Sequence, residues 1–127
     1  MAGVIRLDTH VVVWLYQGQT ERLSARAAER IETHSLVVSP MVQLELTYLH
    51  EIGRLTVSGA EILGDLGSRI GVQLSDASLA AVVHAAASLN WTRDPFDRLI
   101  VADALVASTE LLTKDATIAA HCPLAVW

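Results

Sequence analysis

The chain alternates short apolar runs with longer stretches whose apolar residues recur every three or four positions. Short runs bounded by turn residues predict strands, and the longer periodic stretches predict helices. "GVIRLD" predicts a first strand ending in Asp8, and "THVVVWLYQG" a helix opened by a Thr9 cap and closed at Gly18. "LSARAAERIETH" starts with a Ser24 cap and predicts a second helix. "SLVVSP" predicts a second strand, and "MVQLELTYLHEIG" a third helix closed by Gly53. Residues 58–67 suggest a short helix, "IGVQLS" a third strand, and "DASLAAVVHAAASL" and "DPFDRLIVADALVAS" two more helices. "ELLTKD" and "PLAVW" predict the last strands, and "EIGRLTVSG" reads as the one flexible joint. Strands alternating with helices predict an α/β fold: a mainly parallel central sheet with helices on both faces.

Carboxylates break this pattern in several places. On a wheel of about 100° per residue, the apolar residues of the third predicted helix form one arc, from Leu44 and Tyr48 through Met41 to Leu46, and Glu45 falls inside it. A glutamate in a core needs a partner or is held protonated. An ion pair with Arg6 or Arg98 is the structural alternative to a functional role. Asp94 before Pro95 has the form of a helix cap followed by proline at the first helical position. Asp97 is then the third helical residue, where an acid suits the helix dipole and can reach back to the cap amide. It also lines up with Val101, Ala104 and Ser108 on a helix that is apolar nearly all round. Such a helix is buried on both sides or forms an interface. Asp103 points elsewhere, either to the rim of a site or to an arginine across an interface. Asp8 and Asp115 follow predicted strands and precede helical stretches, so each is a candidate cap. Yet functional groups in open α/β sheets gather at the carboxyl ends of strands, which also selects these two.

Composition sharpens the choice. A length of 127 residues suits one domain with its own core. The hydrophobic fraction is 52%, but no apolar run approaches the roughly 18 residues that span a bilayer. The first residues lack a signal-peptide pattern, and the single Cys122 excludes an internal disulfide and fits a reducing cytoplasm. The net charge of −5 gives no global attraction for nucleic acid. The basic residues, however, are eight arginines and one lysine, and arginine suits phosphate. If metal ions neutralised four carboxylates, the remainder would be near neutral, so an RNA substrate stays open. The five histidines show no zinc-ligand spacing and read as ordinary surface or core residues. Asp8, Glu45, Asp97 and Asp115 lie on four separate elements. Gathered at one sheet edge they would repel, and divalent cations would resolve that repulsion. All-oxygen ligation selects Mg²⁺ or Mn²⁺, ions that serve phosphodiester cleavage.

The ordered pieces "LDTHV", "SPMVQLEL", "DPFDRLIVADAL" and "LLTKD" resemble the PIN-domain family, specifically its VapC-type toxin ribonucleases. Each piece alone is weak; the ordered set is specific and spans essentially the whole chain, residues 1–127 as a single PIN domain. The resemblance implies a PIN-like three-layer α/β/α sandwich. It also implies a Mg²⁺- or Mn²⁺-dependent endoribonuclease, usually dimeric and held inactive by a cognate antitoxin. The family's four acids fall on Asp8, Glu45, Asp97 and Asp115. Thr9 and Thr113 match supporting hydroxyl positions, and Asp94 belongs to a "DPFDR" variant. A histidine often stands two residues before that aspartate, where this chain has Thr92. Arg98 and Lys114 flank the acids as candidate RNA contacts, with ordinary ion pairs equally open. Three rival readings carry distinct signatures. A phosphoacceptor receiver domain needs adjacent acids after strand one and an aspartate after strand two, where this chain has "VVSP". A binding-only PIN relative would lack one of the four acids. A DNA-directed PIN nuclease would share the metal chemistry and carry extra helical elements.

Overall fold

The structure is a computed structural model that describes residues 3–127. Its sheet has five strands: β1 (Val4–Leu7), β2 (Ser35–Val38), β3 (Gln73–Leu74), β4 (Glu110–Leu112) and β5 (Ala125–Val126). They lie in the order β3-β2-β1-β4-β5, and every pairing is parallel. The helices are α1 (Thr9–Gln17), α2 (Ala25–Thr33), α3 (Pro40–Glu51), α4 (Gly59–Ile70), α5 (Leu79–Ala86), α6 (Pro95–Ala107) and α7 (Ala116–His121). Successive residues of a strand face opposite sides. Ile5, Arg6 and Leu7 of the central strand are nonetheless all buried, so helices cover both faces, as a parallel sheet requires. Among the described residues, no helix is long and apolar enough to cross a membrane.

Local chemistry sets most boundaries. The side chains of Ser24, Ser58 and Ser78 accept from the backbone N–H three residues on, opening α2, α4 and α5. Gly18 and Gly71 close α1 and α4 in the left-handed conformation, at φ 70° and 75°. That cap corrects two predicted limits. The helix expected over residues 58–67 runs on to Ile70, and the third strand shrinks to Gln73–Leu74 because Ile70 and Gly71 finish the helix. The helix expected over residues 76–89 is likewise shorter, starting only after the Ser78 cap. Thr9 is not a cap: Asp8 occupies that position. "EIGRLTVSG" is not a loose joint either. Gly53 turns with φ 81°, the amides of Arg54 and Leu55 both donate to the Leu49 carbonyl, and His50 bonds the Leu55 carbonyl.

The apolar helix α6 is resolved in favour of burial. Ile100 through Ala104 are five consecutive buried residues, and α6 packs against α5, α3 and β4 within the chain. Asp103 therefore neither borders the acidic cavity nor waits for a partner across an interface. Its carboxylate accepts from Arg6 Nε at 2.5 Å and from Ser75 Oγ at 2.8 Å. Arg6 also donates to Thr109 Oγ1 and Ser75 Oγ, so the buried pair is fully satisfied. Breaking such a pair by removing one partner costs about 3–5 kcal/mol.

Candidate active site

The strand order locates the site. From β1 the chain moves outward through β2 to β3, then returns to the other side of β1 as β4. The carboxyl ends of β1 and β4 therefore form the point at which the strand order reverses, where open α/β sheets leave a crevice. Asp8 follows β1 and Asp115 follows β4. A cavity of about 420 Å³ opens there, and its wall contains Asp8, Glu45, Asp94, Asp97 and Asp115 together with Thr9. The remainder of the wall includes His10, Trp14 and Arg54.

Hydrogen bonds hold the carboxylates in place. Asp8 Oδ1 accepts from the Thr9 amide at 2.8 Å, and Oδ2 accepts from Thr113 Oγ1 at 2.7 Å. Thr113 Oγ1 in turn accepts from the Asp115 amide at 3.1 Å, so one hydroxyl fixes both strand-end acids. Asp115 caps α7 through the Ile118 amide, and Asp94 caps α6 through the amides of Phe96 and Asp97. Three helix N-termini thus face the cavity, and their partial positive charge favours anions. Thr9 Oγ1 donates to Glu45 Oε1 at 2.5 Å.

Among the described residues, Glu45 has no arginine partner. Arg6 is committed to Asp103, and Arg98 donates its Nε to the Thr92 carbonyl. The wheel placed Glu45 inside a core-facing arc, and the structure shifts that arc. Val42 and Leu46 are buried, whereas Leu44, Tyr48 and Ile52 are 52%, 46% and 50% exposed. Glu45 lies between the buried face and this exposed apolar stripe, on the cavity wall. Burial raises its carboxyl above the usual range, opposed by the Thr9 hydrogen bond and reinforced by Asp8 and Asp94. Asp97 is pushed up to about 7, first by burial and then by Asp94, Asp8, Asp115 and Glu45. It does not reach back to the cap amide: Thr92 Oγ1 takes the Asp94 N–H instead, leaving Asp97 on the cavity wall.

Arg98 and Lys114 do not line the cavity; the Lys114 backbone N–H donates to Nε2 of the wall residue His10 at 2.9 Å. Because that donor fixes Nε2 as an acceptor, the neutral His10 ring carries its proton on Nδ1. Nδ1 stands 3.7 Å from Asp8 Oδ2. Burial is the leading influence on His10 and lowers its pKa, which keeps the ring neutral at pH 7. Of the polar residues in this wall, sequence reasoning read His10 as an ordinary histidine and passed over Arg54. The position of His10 two residues after Asp8 was an available signal; nothing in sequence marked Arg54.

The donor set fits a hard divalent cation: all oxygen, strongly anionic, with Asp97 and Glu45 destabilised as anions by burial and by the neighbouring carboxylates. Among the described residues, no three carboxylate, histidine or cysteine side chains form a ready-made cage. Side-chain rotation or bridging water would be needed to hold an ion, and magnesium in particular retains several waters.

Known proteins share this chain's pattern and fold. The chain is 30% identical to Ribonuclease VapC22 of Mycobacterium tuberculosis over 132 aligned positions, covering 97% of this chain and 98% of that protein. In fold it is similar to the crystal structure of VapBC2 from Rickettsia felis bound to a DNA fragment from their promoter. That match has a TM-score of 0.69 at 16% identity, over 97% of this chain and 96% of the other. It is also similar to VapBC-1 from nontypeable Haemophilus influenzae, with a TM-score of 0.53 at 15% identity over 88% and 87% of the two chains. The PIN domain family model matches residues 5–122. With the acid-lined crevice at the β1–β4 reversal, these matches establish that the chain belongs to the PIN domain family, among relatives of the VapC type.

Proposed function

We propose that the protein is a metal-dependent endoribonuclease, the toxin of a type II toxin–antitoxin pair, with residues 1–127 forming one PIN domain. The observation that carries this reading is the convergence of Asp8, Glu45, Asp97 and Asp115 on one cavity, with Asp97 pushed up to about 7. These four residues would hold Mg²⁺ or Mn²⁺. When bound, such an ion polarises a water and offsets the charge developing on a phosphodiester. The chain's own residues prepare the site. Thr9 orients Glu45, and Thr113 orients Asp8 and Asp115. Asp94 opens α6 so that Asp97 meets the cavity one turn in. His10 Nε2, the ring's acceptor nitrogen, is occupied by the Lys114 amide, so it is no ready base.

RNA as substrate is supported by the ribonuclease named among the relatives, and an antitoxin partner by the VapBC likeness. The exposed stripe of Leu44, Tyr48 and Ile52 supports self-association as a homodimer. The buried free thiol of Cys122 is compatible with a cytoplasmic location. PIN membership removes the receiver-domain reading.

The test is cleavage of structured RNA and matched DNA by protein purified free of antitoxin, with Mg²⁺, Mn²⁺ or EDTA. Discrete, EDTA-sensitive cuts in RNA are expected, lost in Asp8→Asn and Asp97→Asn variants that remain folded. Equal cleavage by those variants would identify a contaminant, and preferential cutting of DNA would overturn the substrate assignment.

A further inference from the structure

We propose that Arg54 is a positioning residue that grips a phosphate of the RNA strand beside the bond to be cut; this rests on the ribonuclease reading above. Among the described residues, Arg54 is the one lysine or arginine in the wall of the acidic cavity. Five carboxylates share that wall, yet among the described residues the Arg54 guanidinium forms no hydrogen bond or ion pair with any of them. Most other arginines are committed. Arg6 holds Asp103, Arg30 holds Glu29 and Glu110, and Arg69 holds Asp65. Arg93 and Arg98 donate to backbone carbonyls, and Arg22 lies over the Trp14 ring. A guanidinium free of partners beside so much negative charge is available for an anion from solution.

Its presentation is fixed from behind. The turn at Gly53 is closed by the Arg54 and Leu55 amides, which donate to the Leu49 carbonyl at 2.8 and 3.2 Å. His50 Nδ1 lies 2.9 Å from the Leu55 carbonyl and ties down the next residue. The side chain is exposed, so little desolvation opposes its use. Arg54 also lines a second cavity of about 230 Å³, which shares Val13, Arg54 and Leu55 with the first and continues to Tyr16 on α1. It therefore stands where the two cavities meet. A single strand with one phosphate at the acidic site would pass an adjacent phosphate over this junction on its way toward Tyr16. There the planar guanidinium offers paired N–H donors to two phosphate oxygens. Without it, the approach to the acidic cavity has no positive side chain in its wall.

The experiment uses the full chain and a fluorescein-labelled pool of random single-stranded RNA. Binding is measured in Ca²⁺ across a range of KCl, and cleavage is measured separately in Mn²⁺. Arg54→Ala is expected to weaken binding about 5–10-fold and to lower the slope of log K against log[KCl] by about 0.7, one phosphate contact on a single strand. Arg54→Lys should retain the slope and lose part of the affinity, since the charge stays and the fork is lost. Arg26→Ala, an equal loss of charge at a residue lining neither cavity, should leave the slope unchanged. In cleavage, KM should rise for Arg54→Ala with kcat nearly unchanged. An Arg54→Ala protein with wild-type affinity and slope, or a wild-type protein that binds no RNA, would overturn the proposal. Binding with the expected Arg54 dependence but no cleavage in any divalent ion would instead sink the ribonuclease reading and leave the phosphate contact standing.

Discussion

Replacing Asp97 by asparagine removes one charge from the acidic cavity while keeping the shape of the side chain. In the metal-free protein this should stabilise the fold, and the gain should depend on pH. Asp97 is pushed up to about 7 from an ordinary 3.8. A gap of roughly three units corresponds to at most about 4 kcal/mol. The side chain is only half-buried, so solvent screening reduces this to about 1–2 kcal/mol. The direction follows from proton counts. Between about pH 4 and pH 7 the folded state keeps a proton on Asp97 that the unfolded state has released, so stability falls as pH rises. The loss is complete above about pH 7 and absent below about pH 4. The difference in melting temperature between Asp97→Asn and wild type, measured in EDTA, should therefore grow from near zero in mild acid to roughly 4–8 °C at mildly alkaline pH. Glu45 titrates in both proteins, and its contribution cancels in the difference to first order. Mg²⁺ or Mn²⁺ should reverse the order at alkaline pH by stabilising wild type more than the variant, because binding requires the deprotonated carboxylate. A variant-minus-wild-type difference independent of pH would refute the assignment of Asp97 to a crowded acidic site.

Two further predictions test the scaffold. Asp103→Ala leaves the Arg6 guanidinium buried without its carboxylate and should cost about 3–5 kcal/mol in urea unfolding. Cleavage per folded molecule should persist, because Asp103 is outside the acidic cavity; a midpoint equal to wild type would show that the pair is not what holds these elements together. Gly59→Ala places a Cβ 2.9 Å from the Gln43 carbonyl oxygen, where α4 packs closely on α3. It should destabilise by about 1–3 kcal/mol, and an unchanged denaturant midpoint would contradict so close an approach.

Much of this molecule was legible along the chain. Ser24 and Asp94 announced their helices because a cap reports only on the amides of the next turn. The alternation of strands and helices predicted a parallel sheet, and its five strands are parallel throughout. The rule that selects strand ends then pointed to Asp8 and Asp115, which line one cavity. The limits of the third strand were less legible, because a two-residue edge strand offers too few positions for a pattern. The helical wheel of α3 misplaced the core. Periodicity shows which residues share a face, but not how far a neighbour covers it, and Leu44, Tyr48 and Ile52 remain about half exposed.

The sequence by itself determined the local elements, their caps and the unusual supply of carboxylates. Only the tertiary structure decided which carboxylates line the cavity and which is paired elsewhere. Asp97 and Asp103 lie on one helix, yet Asp103 is paired with Arg6, far away in sequence, and Asp97 faces an acidic cavity. Asp8 owes its orientation to Thr113, and Arg54 owes its place at the junction of two cavities to the turn that follows α3. Such pairings depend on the order of strands in the sheet. Local propensity acts over a few residues, whereas strand order is fixed by the burial of the whole core.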